Sequence, residues 1–194
     1  MNTEHKLFGF YLGLSVKQKI QHLMKNYHYR EYYVESYRQY IEGMIEDIIA
    51  YESNRKEDIG VRIMSGNGIS DITLREAEKS IKISNIFITG HVGETLIKDK
   101  EDRRMATLAV NEWMAIRDDY ASLNRALRML KPEENELMMD FLNRKKNYYD
   151  IADDCMITYQ SAKKKVQRIR RQVVKLTELD FIRHCSGRTA CSWG

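Results

Sequence analysis

The chain has 194 residues, which is enough for one fair-sized hydrophobic core or two small ones. Its 43% hydrophobic and 31% charged residues indicate a folded globular protein and exclude a disordered chain. No run of about 18 apolar residues is present, so no segment is expected to span a bilayer. The N-terminal residues show no signal-peptide cleavage pattern, and three cysteines are too few for a disulfide framework. We therefore expect a cytoplasmic protein with reduced thiols.

The net charge of +4 is modest but unevenly distributed along the chain. Residues 143–172 contain nine Lys and Arg against three Asp, a local charge of +6, so the rest of the chain carries −2. Positive charge confined to one segment is typical of a surface that binds phosphates.

The scarcity of helix breakers, with Pro132 as the single proline, predicts an all-α fold. A first long helix is predicted over about 15–52, with Ser15 as its N-cap. Its apolar residues alternate steps of four and three, which is a heptad seam that packs on another helix or on a second copy of the chain. The seam comprises Val16, Ile20, Leu23, Tyr27, Val34, Tyr37, Ile41, Met44 and Ile48, and only Arg30 interrupts it.

A second long helix is predicted over about 101–130, with an apolar stripe from Met105 to Leu130. Two long amphipathic helices must bury their stripes, so the N-terminal region 1–130 is expected to be a helical hairpin. An irregular linker joins them, with a turn-rich loop at 65–71 and a short helix that is capped by Asp71 or Thr73 and ends at about Ile83. The stretch 86–93 fits a short strand, a hairpin or a loop equally well.

Residues 131–180 are predicted to form a helix-turn-helix domain, followed by a flexible tail over 181–194. Its three helices cover about 132–145, 148–155 and 159–175, and Pro132 occupies the first position of the first one. Thr158 can cap the last helix, and the small Ala152 permits a close helix crossing. The last helix has one buried stripe, formed by Ala162, Val166, Ile169 and Val173.

The remaining faces of the last helix carry six basic residues and no acid between Thr158 and Gln172. A helix of this shape and charge fits the major groove, with its N-terminal residues at the base edges. The candidates for base contacts are Tyr159, Gln160, Lys163 and Lys164. The candidates for phosphate contacts are Arg144, Lys145, Lys146, Thr158, Lys165, Arg168, Arg170 and Arg171.

The segment from Ile151 to Arg170, with Ile-Ala, then Ile-Thr, then Ser-Ala-Lys and a basic end, resembles the last helix-turn-helix of bacterial sigma factors. In that family this motif reads the −35 promoter element, and Leu130-Lys-Pro-Glu-Glu resembles the helix that opens the same domain. Two positions depart from the pattern. Met156 stands where the family has glycine, and Ala162 stands where it has valine.

The chain lacks a stretch resembling the sigma helix that melts the −10 element. Instead, Gly60–Gly66 followed by Ser70–Ala77 resembles phage regulators of the ArpU and RinA type, although Ile72 replaces their proline. This resemblance implies a phage or prophage transcriptional regulator from a Gram-positive bacterium, with double-stranded DNA and RNA polymerase as partners and a homodimer formed through the heptad helices.

Two other functions fit the same sequence. A phage packaging component of the small-terminase kind also joins a helix-turn-helix to long helices, but assembles into rings. A sigma-like module could instead use the fold to bind a protein.

Enzymatic chemistry and cofactors are not predicted, because no base is placed beside a nucleophile. His184, Cys185 and Cys191 lack a fourth ligand with metal-site spacing, so no metal is expected. The tyrosine-rich segment 27–40 fits a protein interface, and stacking on single-stranded bases is its alternative.

Overall fold

The computed structural model describes residues 9–57 and 72–189, with side chains for 9–53 and 76–182. Within these ranges the chain forms seven α-helices and no strand, which confirms the predicted all-α class. No helix there is both long and apolar enough to cross a membrane. The helices are α1 (Val16–Lys25), α2 (Arg30–Glu57), α3 (Ile72–Thr89), α4 (Lys100–Arg128), α5 (Pro132–Leu142), α6 (Tyr148–Asp154) and α7 (Tyr159–Thr189).

The predicted single helix over 15–52 is wrong, because the chain breaks between α1 and α2. Asn26 leaves helical geometry with φ −102° and ψ 9°, and a 3-10 turn covers Tyr27–Tyr29. The Asn26 amide lies 3.2 Å from the His22 ring, a local bond of the kind that competes with helix continuation. The break buries Tyr27, whose hydroxyl donates to Asn124 over 2.5 Å.

The predicted cap of the first helix is confirmed. The Ser15 hydroxyl accepts a bond from the Gln18 backbone N–H, and the Gln18 side chain accepts one from the Ser15 N–H. This reciprocal pair satisfies two amides at the start of α1.

The described residues group into two compact units. Within the described ranges, the first comprises the residues up to Leu12 and those from Val34 to Ala115, and the second comprises Gly13–Tyr33 and the residues from Ile116 onward. This grouping differs from a boundary near residue 130, because α1 packs against α7. Autonomous folding of residues 131–180 remains a prediction.

The core of the first unit is shared by three helices, not two. Ile41 and Ile45 of α2 and Trp113 of α4 lie in one buried cluster with Ile86 and Phe87 of α3. The Phe87 and Trp113 rings meet edge to face at 5.2 Å, and the Trp113 indole N–H donates to the Val34 carbonyl. The predicted apolar stripe of α4 is confirmed, since Ala109, Trp113, Ile116, Tyr120, Leu123, Leu127 and Leu130 are all buried.

Helix α3 is longer than predicted and replaces most of the expected irregular linker. It runs to Thr89, so residues 86–89 are helical and not a strand, hairpin or loop. Burial of Ile83, Ile86 and Phe87 outweighs the strand preference of this β-branched stretch. The helix ends at Gly90, whose φ of +72° is strained for other residues, and a Cβ there would come within 2.9 Å of the Asn111 side-chain oxygen.

A buried carboxylate fixes the N-terminal segment of the first unit. Glu112 is 3% exposed and accepts bonds from the backbone N–H groups of Gly9 and Tyr11 and from the Tyr37 hydroxyl, at 2.8, 2.5 and 2.8 Å. A buried charge needs such partners to offset its lost hydration.

Helix α7 continues to Thr189, so residues 181–189 are helical within the segment that was predicted to be a flexible tail. Thr177 and Phe181 extend the buried stripe beyond Val173, and Arg125 forms an ion pair with Asp180 at 2.7 Å. The predicted loop at 65–71, the Asp71 cap and residues 190–194 lie outside the described residues.

Candidate nucleic-acid interface

The second unit places α6 and α7 at the two ends of a short turn, residues Cys155–Thr158. Ile151 and Ala152 of α6 are buried, as is Ala162 of α7, and the two helices pack against each other. Asn147 caps α6, because its side chain accepts from the N–H groups of Tyr149 and Asp150. A seven-residue helix is not stable alone, so these contacts hold it in place.

The turn itself contains an unusual backbone conformation. Met156 has a φ of +52°, and its side chain is 95% exposed. The Ile157 N–H returns to the Ala152 carbonyl at 2.9 Å, closing the turn. Thr158 then caps α7 as predicted, since its hydroxyl accepts from the Ser161 N–H at 3.3 Å. The predicted helix bounds on both sides of this turn are accurate to about one residue.

The buried stripe of α7 is confirmed. Ala162, Val166, Ile169 and Val173 are each no more than 1% exposed. With one face of the helix buried, the residues between them in sequence point outward. Both α5 and α6 pack on this buried side of α7.

Three of the four candidates for base contacts have side chains that are exposed to solvent. Gln160, Lys163 and Lys164 are exposed, and neither lysine has an ion pair with any residue that the structure describes. Tyr159 is half-buried, because its ring lies 4.6 Å from that of Tyr149. Its reach toward a ligand is therefore limited by this contact.

The eight candidates for phosphate contacts divide into two groups. Arg144, Lys145, Arg170 and Arg171 are exposed and have no acidic partner within the described part of the chain. The other four are engaged within the protein. Thr158 caps α7, Lys165 donates to the Cys155 thiol at 3.3 Å, Arg168 pairs with Glu134 at 2.9 Å, and Lys146 pairs with two aspartates.

Lys146 is the most constrained of the engaged cations. Its ammonium lies 2.9 Å from Asp154 and 3.2 Å from Asp140. Hydrogen bonds to Asp154 and then to Asp140 raise the pKa of Lys146 above its usual value. The ammonium thus ties the end of α6 to α5, and its charge is largely offset by these carboxylates.

Arg144 owes its exposure to the end of α5, which stops at Leu142 and not at Lys145 as predicted. Arg144 has a φ of +58°, so it leaves the helix in the left-handed region. The Lys145 N–H returns to the Asp140 carbonyl at 2.9 Å, which closes this turn. Arg144 and Lys145 thus lie in the turn after α5 with exposed side chains, whereas Lys146 pairs back with Asp140.

One basic element, helix α1, was not predicted from the sequence. Helix α1 packs against α7 and contains Lys17, Lys19 and Lys25 with no acidic residue. The absence of acidic residues from this segment could have predicted a basic surface, but the heptad pattern favoured a dimer seam. The neighbouring tyrosines serve different purposes: Tyr27 and Tyr37 bond within the protein, whereas Tyr32 is 75% exposed.

Comparison with protein-family models, with curated proteins and with solved structures found no match to this chain.

Proposed function

We propose that this protein binds double-stranded DNA in a sequence-specific manner, with the first turns of α7 in the major groove. The observation that carries the proposal is the division of α7 into two faces. One face is buried from Ala162 to Val173, and the other presents Gln160, Lys163, Lys164 and Arg171 to solvent. Amide and ammonium groups are suitable donors to base edges and phosphates.

The surrounding charges support the same surface. Between Thr158 and Gln172 the helix carries no acidic residue, and the free cations Arg144 and Lys145 precede α6 in the same unit. Beyond Lys175 the helix gains Glu178 and Asp180, so the basic region ends about four turns after the start of α7. The DNA-reading part is thus the N-terminal half of this long helix.

The proposed biological role is based on the resemblance to sigma factors and to phage regulators. We propose transcriptional regulation of phage or prophage genes, alone or with RNA polymerase, with major-groove reading by residues 159–175. The packaging and protein-binding alternatives predict different outcomes in the experiments below.

The first experiment is selection of binding sites from random duplex DNA at two salt concentrations. An enriched motif, with affinity that falls steeply as salt rises, is the expected result. Salt-sensitive binding without a motif, together with a ring of eight or more copies in solution, would instead favour packaging. No DNA binding at either salt concentration would contradict the proposal and favour a protein partner.

Two alanine variants distinguish contacts with base edges from contacts with phosphates. Lys163→Ala should weaken the selected site by about 1–3 kcal/mol and reduce discrimination against a scrambled site, if this lysine contacts a guanine. Lys145→Ala should weaken both duplexes equally. The matched control is Lys82→Ala, which removes an exposed lysine from α3. Identical behaviour of the Lys163 and Lys145 variants on both duplexes would contradict the assigned roles.

A further inference from the structure

A cavity of about 400 Å³ opens in the second unit beside the candidate interface. Four cationic side chains line it: Lys25 at the end of α1, Arg144 and Lys146 from the turn after α5, and Arg170 of α7. Three of them were predicted to contact phosphates, and the fourth comes from a helix more than a hundred residues away in sequence. The fold therefore gathers cations from three separate segments around one space.

The charge in this cavity is not balanced by the protein. The charge of the Lys146 ammonium is offset by its ion pairs with two aspartates. Lys25, Arg144 and Arg170 have no acidic partner among the described residues. Like charges around one cavity repel one another, and an anion placed between them would remove that repulsion. The cavity is thus suited to a ligand with at least one negative charge.

The rest of the lining is mainly apolar and aromatic. Phe141 and Tyr148 contribute rings whose centroids lie 5.0 Å apart. A sugar-phosphate backbone matches both properties, since its phosphate is anionic and its deoxyribose offers an apolar face. A free inorganic anion would match the cations alone.

The cavity adjoins the proposed reading surface. Arg170 follows Lys163 by seven residues, so the two lie on the same flank of α7, about two turns apart. Tyr148 also contacts the ring of Tyr159, at the first residue of α7, with centroids 5.9 Å apart. A helix in the major groove has a phosphate backbone along each flank.

We infer that this cavity holds a backbone segment of the bound DNA, and that Lys25 makes α1 part of the DNA interface. The inference rests on the proposed function and extends it to the N-terminal region. Lys25 contacts phosphate, so it adds affinity without sequence preference.

The test compares two lysines of one helix in the full-length protein. Lys25→Gln removes the cavity lysine, and Lys17→Gln removes an exposed lysine of α1 outside the cavity. Loss of one phosphate contact makes the negative slope of log K against log salt shallower by about 0.9, which is a loss of about eightfold in affinity at 0.1 M salt when the affinity at 1 M is unchanged. We expect this loss for Lys25→Gln on selected and scrambled duplexes alike, no loss for Lys17→Gln, and recovery with Lys25→Arg.

Each alternative outcome is distinct. If Lys25→Gln binds like the unmodified protein while Lys163→Ala is weakened, the inference is wrong and the proposed function stands. If the unmodified protein binds no DNA, both are wrong. Inorganic phosphate then serves as the probe, and a thermal stabilisation that is lost in Lys25→Gln would assign the cavity to a small anion.

Discussion

Met156 offers a direct test of how the turn between α6 and α7 is built. Its backbone adopts φ +52°, in the left-handed region where a Cβ crowds the following carbonyl. Its side chain is 95% exposed, so replacing it removes almost no packing. The sigma-factor pattern has glycine at this position. We therefore expect Met156→Gly to stabilise the folded protein.

The magnitude follows from two opposing terms. Relief of the left-handed strain contributes about 1–2 kcal/mol. Glycine gives the unfolded chain more conformational freedom, which costs about 0.4–1 kcal/mol. The net gain in unfolding free energy is about 1 kcal/mol, or about 2–4 °C in Tm for a chain of this length.

The assay is urea unfolding followed by circular dichroism, with Met156→Ala as the matched control. Alanine retains a Cβ and should leave the unfolding free energy nearly unchanged, because the lost side-chain atoms are in solvent. If alanine stabilised the protein as much as glycine, or if glycine gave no gain, backbone strain at this turn would not be the cause.

Three further predictions concern stability. Burial, and then the charges of Lys25 and Arg144, lower the pKa values of His22 and His28 below the usual 6.5. Both histidines therefore bind protons more weakly in the folded protein than in the unfolded chain. The unfolded chain then takes up more protons as pH falls through 6.5, so Tm should fall between pH 7 and 5.5, and less so in the His22→Gln, His28→Gln double variant. Glu112→Ala removes the acceptor of three hydrogen bonds and should cost at least about 2 kcal/mol in urea unfolding, whereas Glu112→Gln should cost less; equal losses would show that the bonds are unimportant. Ile151→Ala empties the buried face of α6 and should cost about 2–4 kcal/mol, while a loss under about 1 kcal/mol would mean that α6 does not depend on this contact.

The local features of the candidate site were readable from the sequence. The Thr158 cap, the buried stripe from Ala162 to Val173 and the exposed lysines at 163 and 164 are all as predicted. These features depend on residues no more than about four positions apart along one helix or turn. Helical periodicity fixes such relations before any tertiary contact forms.

The state of Arg168 and Lys146, in contrast, was decided by carboxylates on other helices. Arg168 pairs with Glu134, 34 positions away, and Lys146 is held between Asp140 and Asp154. Sequence spacing cannot show whether such groups meet, since that depends on how α5, α6 and α7 pack. For this reason the predicted phosphate contacts include Lys146, Lys165 and Arg168, which are engaged within the protein. They also omit Lys25, which has no acidic partner among the described residues.

The sequence alone determined the helical class, the α4 stripe and the α6–α7 turn, because these features depend on short-range periodicity and on capping residues. Tertiary structure decided the break at Asn26, the length of α3 and the extension of α7 to Thr189. It also placed α1 beside α7. At each of these positions local preference allowed more than one conformation. The conformation adopted buries Tyr27, Phe87 or Phe181, and Tyr27 and Phe87 contact Asn124 and Trp113, which are far away in the sequence.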